Sequence, residues 1–232
     1  MLKKSTIERI ISDDLSRIWI LLTPEERRLV VDNFHIYTFK KGQIIYEENE
    51  TPENLWCILK GKVKMYKDGV AKQQILRMYR PVQYFGYRAY FANELYVSSV
   101  AAVEESQLGA IKMDIVRDLI NQNKQVAWFF IHELSRHLGG SDTRIVNLTQ
   151  KHTRGRLAEA LAMLLDSYGY EEDGETLQVY MSREDLANFS NMTTANAIRT
   201  LSSLAEDKII IVDGRRIKIL DEKMLRRISK YG

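Results

Sequence analysis

The sequence predicts an α+β chain in three parts: an all-β N-terminal body, one long helix, and a C-terminal helix-turn-helix followed by a β-hairpin. Three observations predict it. Between Phe34 and Lys112 apolar residues recur with a period of two, in short runs punctuated by Lys41-Gly42, Lys60-Gly61 and Asp68-Gly69. From Lys124 to His152 they recur at alternating spacings of four and three. Met181 to Ile211 reads as two short helices about a tight turn, with two β-branched runs behind it. A chain of 232 residues has room for two small cores.

Residues 1–33 read as helical. Ile7, Ile10, Ile11, Leu15 and Ile18 keep helical spacing. Thr23-Pro24-Glu25-Glu26 starts a second helix: Thr caps, Pro takes the first position, acids fill the first turn. Leu29, Val30 and Phe34 form its expected buried face. The expected strands are Ile36–Phe39, Gln43–Tyr46, Leu55–Lys60, Gly61–Tyr66, Gln73–Tyr79, Val97–Ala102 and Gln107–Lys112, which suit a barrel, sandwich or roll. The pattern breaks over Tyr84 to Tyr96, where Gly86 permits an unusual backbone and Tyr87 to Phe91 read as one helical turn. Such an insert suits either a ligand pocket for anions or a packed loop of aromatics.

In the long helix, Ala127, Ile131, Leu134, Leu138, Ser141, Ile145, Leu148 and His152 form a coiled-coil seam. It fits a parallel homodimer, or equally a helix packed on its own domain. Gly139-Gly140 lowers helix propensity by ~1 kcal/mol per glycine and marks a point for a bend or hinge. Another helix begins at Thr153, with Leu157, Leu161, Leu164 and Leu165 as its core face. An acidic loop over Glu171–Glu175 and a short strand, Leu177–Tyr180, lead to the helix-turn-helix.

There, Ser182 caps the first helix and Thr193 or Thr194 the second. Ala197, Ile198, Leu201 and Leu204 are the second helix's apolar face; Thr193, Thr194, Asn196 and Arg199 lie away from it, available to base edges or phosphates in a major groove. Asp213-Gly214 turns a hairpin between Ile209–Val212 and Ile217–Leu220, a wing that brings Arg215 and Arg216 to a phosphate backbone. Ser182 and Arg183, at the first helix's start, are expected as further phosphate contacts.

Net charge is only +3, so DNA-binding charge must be local. From Arg199 to Gly232 basic residues outnumber acidic ones nine to five. The lone cysteine, Cys57, sits in an apolar run, which excludes an internal disulfide and a four-cysteine iron–sulfur cluster. No apolar run is long enough to span a bilayer and the charged N-terminus is no secretory signal, so a cytoplasmic protein with no membrane partner is expected. His132 and His137, five apart, do not share a helical face for chelation, and no metal site is expected. No catalytic triad, phosphate-cradling glycine loop or paired carboxylate stands out; the chain does not read as an enzyme.

Lys41-Gly42-Gln43-Ile44-Ile45, Leu59-Lys60-Gly61-Lys62-Val63, Phe85-Gly86, Asn147-Leu148, Arg154-Gly155-Arg156-Leu157-Ala158 and the helix-turn-helix together resemble the CRP/FNR family of bacterial transcription regulators over nearly the whole chain. The resemblance implies a cyclic-nucleotide-binding-like double-stranded β-roll for effector sensing (residues 1–123), a dimerisation helix (124–152) and a winged helix-turn-helix (153–232). It further implies a homodimer joined through Ile131, Leu134, Leu138, Ile145 and Leu148, binding palindromic operators in double-stranded DNA, with RNA polymerase as a further partner. The candidate effector-binding residues are Gly86, Tyr87, Arg88, Ser98, Ser99, His137, Ser141 and Asp142.

The departures define the expected specificity. In cyclic-AMP-binding members a Glu follows Phe-Gly and binds the ribose, and an Arg before Ser or Thr pairs with the cyclic phosphate. Here Tyr87 takes the Glu position and Val97-Ser98 replaces the Arg-Ser pair. Each lost charge-assisted contact costs ~1.5–3 kcal/mol, making cyclic AMP a poor candidate. The effector is therefore expected to be another small molecule. The family's common Arg and Glu base readers fall on Thr194 and Ala195, while Arg199 matches a family arginine, so a different operator is expected. The alternatives are a β-roll module signalling through protein contacts, and an effector-independent or haem-dependent regulator.

Overall fold

In the computed structural model, which describes residues 4–14, 16–70 and 72–232, the period-two stretch forms two four-stranded sheets. Residues 1–3 and Leu15, expected in the first helix, lie outside the described residues. Helices α1 (Lys4–Asp14), α2 (Ser16–Trp19) and α3 (Pro24–Asp32) come first. Thr23 caps α3 through a reciprocal box: its Oγ1 accepts from Glu26 N at 3.3 Å, while the Glu26 carboxylate accepts from Thr23 N at 2.8 Å. Val30, Val31 and Phe34 are buried, but Leu29 is exposed, because the inward stripe runs through the Val30–Val31 pair rather than beginning one residue earlier.

The strands are β1 (His35–Phe39), β2 (Ile44–Tyr46), β3 (Asn54–Lys60), β4 (Val63–Asp68), β5 (Gln73–Tyr79), β6 (Tyr84–Phe85), β7 (Ser99–Ala102) and β8 (Ser106–Lys112), with α4 (Tyr87–Phe91) between β6 and β7. Their orders are β1-β8-β3-β6 and β2-β7-β4-β5. In each sheet the resolved pairings are antiparallel, for example Cys57 opposite Gly109 and Met65 opposite Val100. Helix α5 (Met113–Gln122) then leads into α6 (Lys124–Gln150).

The chain divides into two compact bodies. The first comprises residues up to Lys67 together with Arg77–Leu138; the second comprises Asp68–Leu76 and Gly139–Gly232. In the first body, one cluster fills the space between the sheets and includes Phe39, Trp56, Ile58, Tyr79, Phe85 and Val100. A second packs one sheet's outer face against the N-terminal helices, α5 and the start of α6, through Ile11, Trp19, Phe34, Tyr84, Val116 and Phe130. Glu133 of α6 is buried here, and its charge is met by Arg17 at 2.8 Å and Arg136 at 3.3 Å. A buried carboxylate is tolerated only when paired in this way.

In the second body, α7 (Thr153–Tyr168), α8 (Arg183–Phe189), α9 (Thr194–Glu206), β9 (Ile210–Asp213), β10 (Arg216–Ile219) and α10 (Glu222–Tyr231) follow the end of α6. Leu157, Leu161, Leu164 and Leu165 are buried along α7 as their spacing predicts. α10 packs on α7 so closely that a Cβ on Gly155 would lie 2.3 Å from Gly232 O. The expected strand at Leu177–Tyr180 is instead a stretch held by two isolated bridges, Tyr170–Leu177 and Thr176–Lys218, in addition to Asp173 accepting from Thr176. α6 stays helical through Gly139 and Gly140.

Candidate nucleic-acid interface and effector site

The helix-turn-helix is built by its caps. Ser182 Oγ accepts from Asp185 N at 2.9 Å and donates to the Asp185 carboxylate at 2.8 Å, starting α8. Asn191, at φ +51°, supplies the left-handed turn, and Ser190 Oγ donates to Leu186 O at 2.6 Å. Thr193, not Thr194, caps α9, accepting from Asn196 N at 3.2 Å. The end of α8 is closed from outside the motif. Arg144 on α6 donates from Nη2 to Phe189 O at 2.7 Å and Ile75 O at 3.0 Å, and stacks on the Phe189 ring at 4.3 Å. Gln74 Nε2 donates to Asn188 O at 2.7 Å. Asn188 O and Phe189 O are C-terminal helix carbonyls with no partner of their own along α8.

Thr193, Thr194, Ala195, Ile198, Arg199 and Ser202 are exposed on α9, while Ala197, Leu201 and Leu204 are buried. Helical spacing places Ile198 on the buried face, but in the structure it is 47% exposed. Its position one residue past Ala197 puts it over the edge of the stripe that Ala197, Leu201 and Leu204 already fill. Arg199 Nη2 donates to Asn196 Oδ1 at 2.5 Å, so these two expected contacts form one pair.

The wing closes over Gly214-Arg215, with Gly214 at φ +54° and Arg216 opposite Asp213, one residue later than the expected Asp-Gly turn. Arg183 donates from Nη2 to Gly214 O at 2.5 Å, tying α8 to the wing. Arg215 projects into solvent. Arg216 pairs with Glu171 at 2.6 Å and lies over the Tyr180 ring; both its hydrogen bond to Glu171 and the carboxylate's charge hold its proton more tightly than usual. A groove of about 380 Å³ lies along α9, lined by Thr153, Arg154, Asn196, Arg199, Thr200 and Ser203. Sequence reading missed Thr153, Arg154, Thr200 and Ser203. The start of α7 is far from α9 in the chain, and only the fold brings Arg154 to Ser203, at 2.5 Å, and to Asp207.

In the first body, Gly86 begins α4 at φ +95°, and a Cβ there would approach Asn54 O to 2.7 Å. Tyr87 is 2% exposed and fills the space behind that turn. Its ring meets Phe130 at 5.1 Å and Phe91 at 6.0 Å, and its hydroxyl lies 3.4 Å from His137 Nδ1. Burial drives the Tyr87 hydroxyl well above the ordinary phenol range. Burial first, and the Arg77 guanidinium second, hold His137 down at about 4; Arg77 donates to His137 O at 2.9 Å. Ser98 and Ser99 are buried, and Ser99 Oγ accepts from Glu48 N at 2.9 Å. Arg88 turns outward to Glu94 at 3.0 Å. Gly86, Tyr87 and His137 thus come together, whereas Arg88 does not join them. Ser141 and Asp142 lie on the part of α6 that belongs to the second body. Tyr90 bonds Asp114 at 3.1 Å.

No helix among the described residues is long and apolar enough to cross a membrane. A model of the cyclic nucleotide-binding domain matches residues 37–123, and one of the Crp-like helix-turn-helix domain matches 155–228. The CRP-like cAMP-activated global transcriptional regulator of Mycobacterium tuberculosis is 23% identical over 196 residues, 83% of this chain and 87% of the relative. The anaerobic regulatory protein of Bacillus subtilis is 26% identical over 184 residues, 77% of this chain and 74% of the relative. The structure of FixK2 from Bradyrhizobium japonicum has the same fold, with a TM-score of 0.77 at 20% identity over 84% of this chain and 97% of that one.

A β-roll followed by a long helix and a winged helix-turn-helix defines a class: transcription regulators that bind DNA. Within that class, the chain belongs to the CRP/FNR family.

Proposed function

We propose that this regulator acts in the cytoplasm as a homodimer on a palindromic operator, with RNA polymerase as a further partner. In this reading residues 1–123 sense, 124–152 pair and 153–232 bind DNA. The observation that carries it is the long helix's uncovered apolar seam. Ile131, Leu138 and Ile145, seven residues apart on α6, are 47%, 65% and 62% exposed, while Leu134 and Leu148 are half-buried. A heptad stripe of this kind buries itself against a second copy.

In the DNA-bound dimer Thr194, Asn196 and Arg199 face base edges. Arg215, Arg216, Arg183, Thr193 and Ser182 face phosphates, Thr193 with the hydroxyl proton its capping bond leaves free and Ser182 by exchanging its bond to the Asp185 carboxylate. Arg199→Ala is expected to weaken operator binding by 1–3 kcal/mol, roughly 5- to 150-fold, and to relax preference at one position. The test is selection of operators from random duplexes followed by footprinting. Recovery of a two-fold symmetric site supports the reading; recovery of no preferred sequence refutes it.

For the effector, we propose a small molecule other than cyclic AMP. Tyr87 supports this: a buried phenol stands where cyclic-AMP-binding members carry a ribose-binding carboxylate. Within the first body, Gly86, Tyr87 and His137, with Ser98 and Ser99, remain the candidate effector contacts. Millimolar cyclic AMP is expected to leave the melting temperature unchanged; a saturable rise would refute the exclusion.

A further inference from the structure

We infer that Ile198 is a specificity-determining residue that reads the C5-methyl group of a thymine in each operator half-site. The inference rests on the DNA-binding reading above and names one base contact within it.

Ile198 is the fifth residue of α9, in the N-terminal part of the helix that a helix-turn-helix turns toward base edges. It is 47% exposed, although the next apolar positions around the helix, Ala197 and Leu201, are buried. It stands outside the buried stripe of α9, and a β-branched residue is no better a helix former than the small polar residues around it. Its surroundings make it the apolar centre of the exposed face. Ala195 precedes it by three residues and Thr194 by four, which are its neighbours on a helix surface, and both are exposed. Arg199 is drawn to Asn196 by their 2.5 Å hydrogen bond.

An aliphatic side chain offers no donor or acceptor, so the polar edges of the groove give it nothing to bond. The one apolar feature of the major groove is the thymine methyl. Ile198 beside the polar Asn196–Arg199 pair therefore reads as a composite: hydrogen bonds to one base pair, a methyl contact to a T·A pair next to it. Cytosine carries only a hydrogen at C5 and so takes away the methyl that the isoleucine packs on.

The test separates the methyl from every other property of thymine. Operators are first selected with the full-length protein. Each thymine of the half-site is then replaced, one position at a time and symmetrically in both halves, by deoxyuridine, which pairs identically and lacks the methyl. At one thymine, wild-type affinity is expected to fall about 4-fold per half-site, roughly 15-fold for the symmetric substitution, the worth of one buried methyl-sized group in each half (~0.8 kcal/mol). Ile198→Ala is expected to bind the thymine and deoxyuridine operators alike, while Arg199→Ala keeps the deoxyuridine penalty. Undiminished wild-type binding to every deoxyuridine operator overturns the inference. So does a penalty that persists in full in Ile198→Ala. Failure to select any operator overturns the DNA-binding reading as well, so the two failures are distinguishable.

Discussion

Arg144→Met asks how much of the DNA-reading motif is held from outside it. Arg144 donates two charge-assisted hydrogen bonds, to Phe189 O at 2.7 Å and Ile75 O at 3.0 Å, and lays its guanidinium on the Phe189 ring. Bonds of this kind are worth about 1.5–3 kcal/mol each when the freed partner stays buried. Arg144 is only half-buried, so water reaches part of the site and the lower end applies. Methionine keeps most of the aliphatic volume against Phe189, which isolates the lost polar contacts from lost packing. At the end of α8 itself, the bond to Phe189 O at ~1.5 kcal/mol and the guanidinium–ring contact at ~0.5 kcal/mol give an expected local loss of ~2 kcal/mol, the Ile75 bond belonging to β5. The three tryptophans, Trp19, Trp56 and Trp128, all belong to the first body, so fluorescence-monitored unfolding does not report it. Hydrogen exchange of a peptide spanning residues 183–192 does: protection is expected to fall roughly 30-fold, with the tryptophan-reported transition unmoved. Exchange in that peptide within about two-fold of wild type would mean that α8 closes its own carbonyls, and the capping argument would fall.

Three further outcomes are expected. Gly86→Ala puts a Cβ 2.7 Å from Asn54 O at a φ of +95°, and the neighbour is backbone that cannot swing aside; a loss of ~2 kcal/mol or more in tryptophan-monitored denaturation is expected, and a loss below about 0.5 kcal/mol would contradict it. His137 sits at about 4 against an ordinary 6.5, so the unfolded chain takes up its proton first. Its contribution is complete above about 6.5 and is lost as pH falls toward about 4, and His137→Gln is expected to flatten that slope in first-body unfolding. Leu138→Glu places a charge in the middle of the seam and is expected to shift sedimentation from dimer to monomer and to lower operator affinity; an unchanged sedimentation coefficient would count against pairing through α6.

What was legible in the sequence is what local chemistry decides. Thr23, Ser182 and Thr193 each cap a helix because a hydroxyl one residue ahead of an apolar stripe has few better options. The wing was legible from two β-branched runs about a glycine turn, though its register slipped by one residue. Two helices were missed for different reasons. α5 carries its buried face on only Met113, Val116 and Leu119, a stripe too short to stand out between a strand and a long helix. α10 buries only Leu225 and Ser229, and its Arg226, counted among the bases of a DNA-facing surface, instead engages Asp166 at 2.6 Å and Glu222 at 2.7 Å. Ile198 was misplaced because Ala197, Ile198, Leu201 and Leu204 all satisfy helical spacing, and only the packing of α9 decides which edge is left out. Arg154 was invisible as a site residue, since no local pattern brings the first turn of α7 beside the third turn of α9.

The paired bases around α9 and the wing bear on any titration of this protein against duplex. Arg216 with Glu171, Lys218 with Asp173, and Arg154 with Asp207 are each already matched to a carboxylate on their own surface. A phosphate that claims one of them must evict a resident anion, and sodium ions then settle around the abandoned acid. Added electrolyte loosens the resident pairs and the incoming ones together. The logarithmic dependence of affinity on ionic strength should therefore be shallower than a tally of contacting guanidinium and ammonium groups implies.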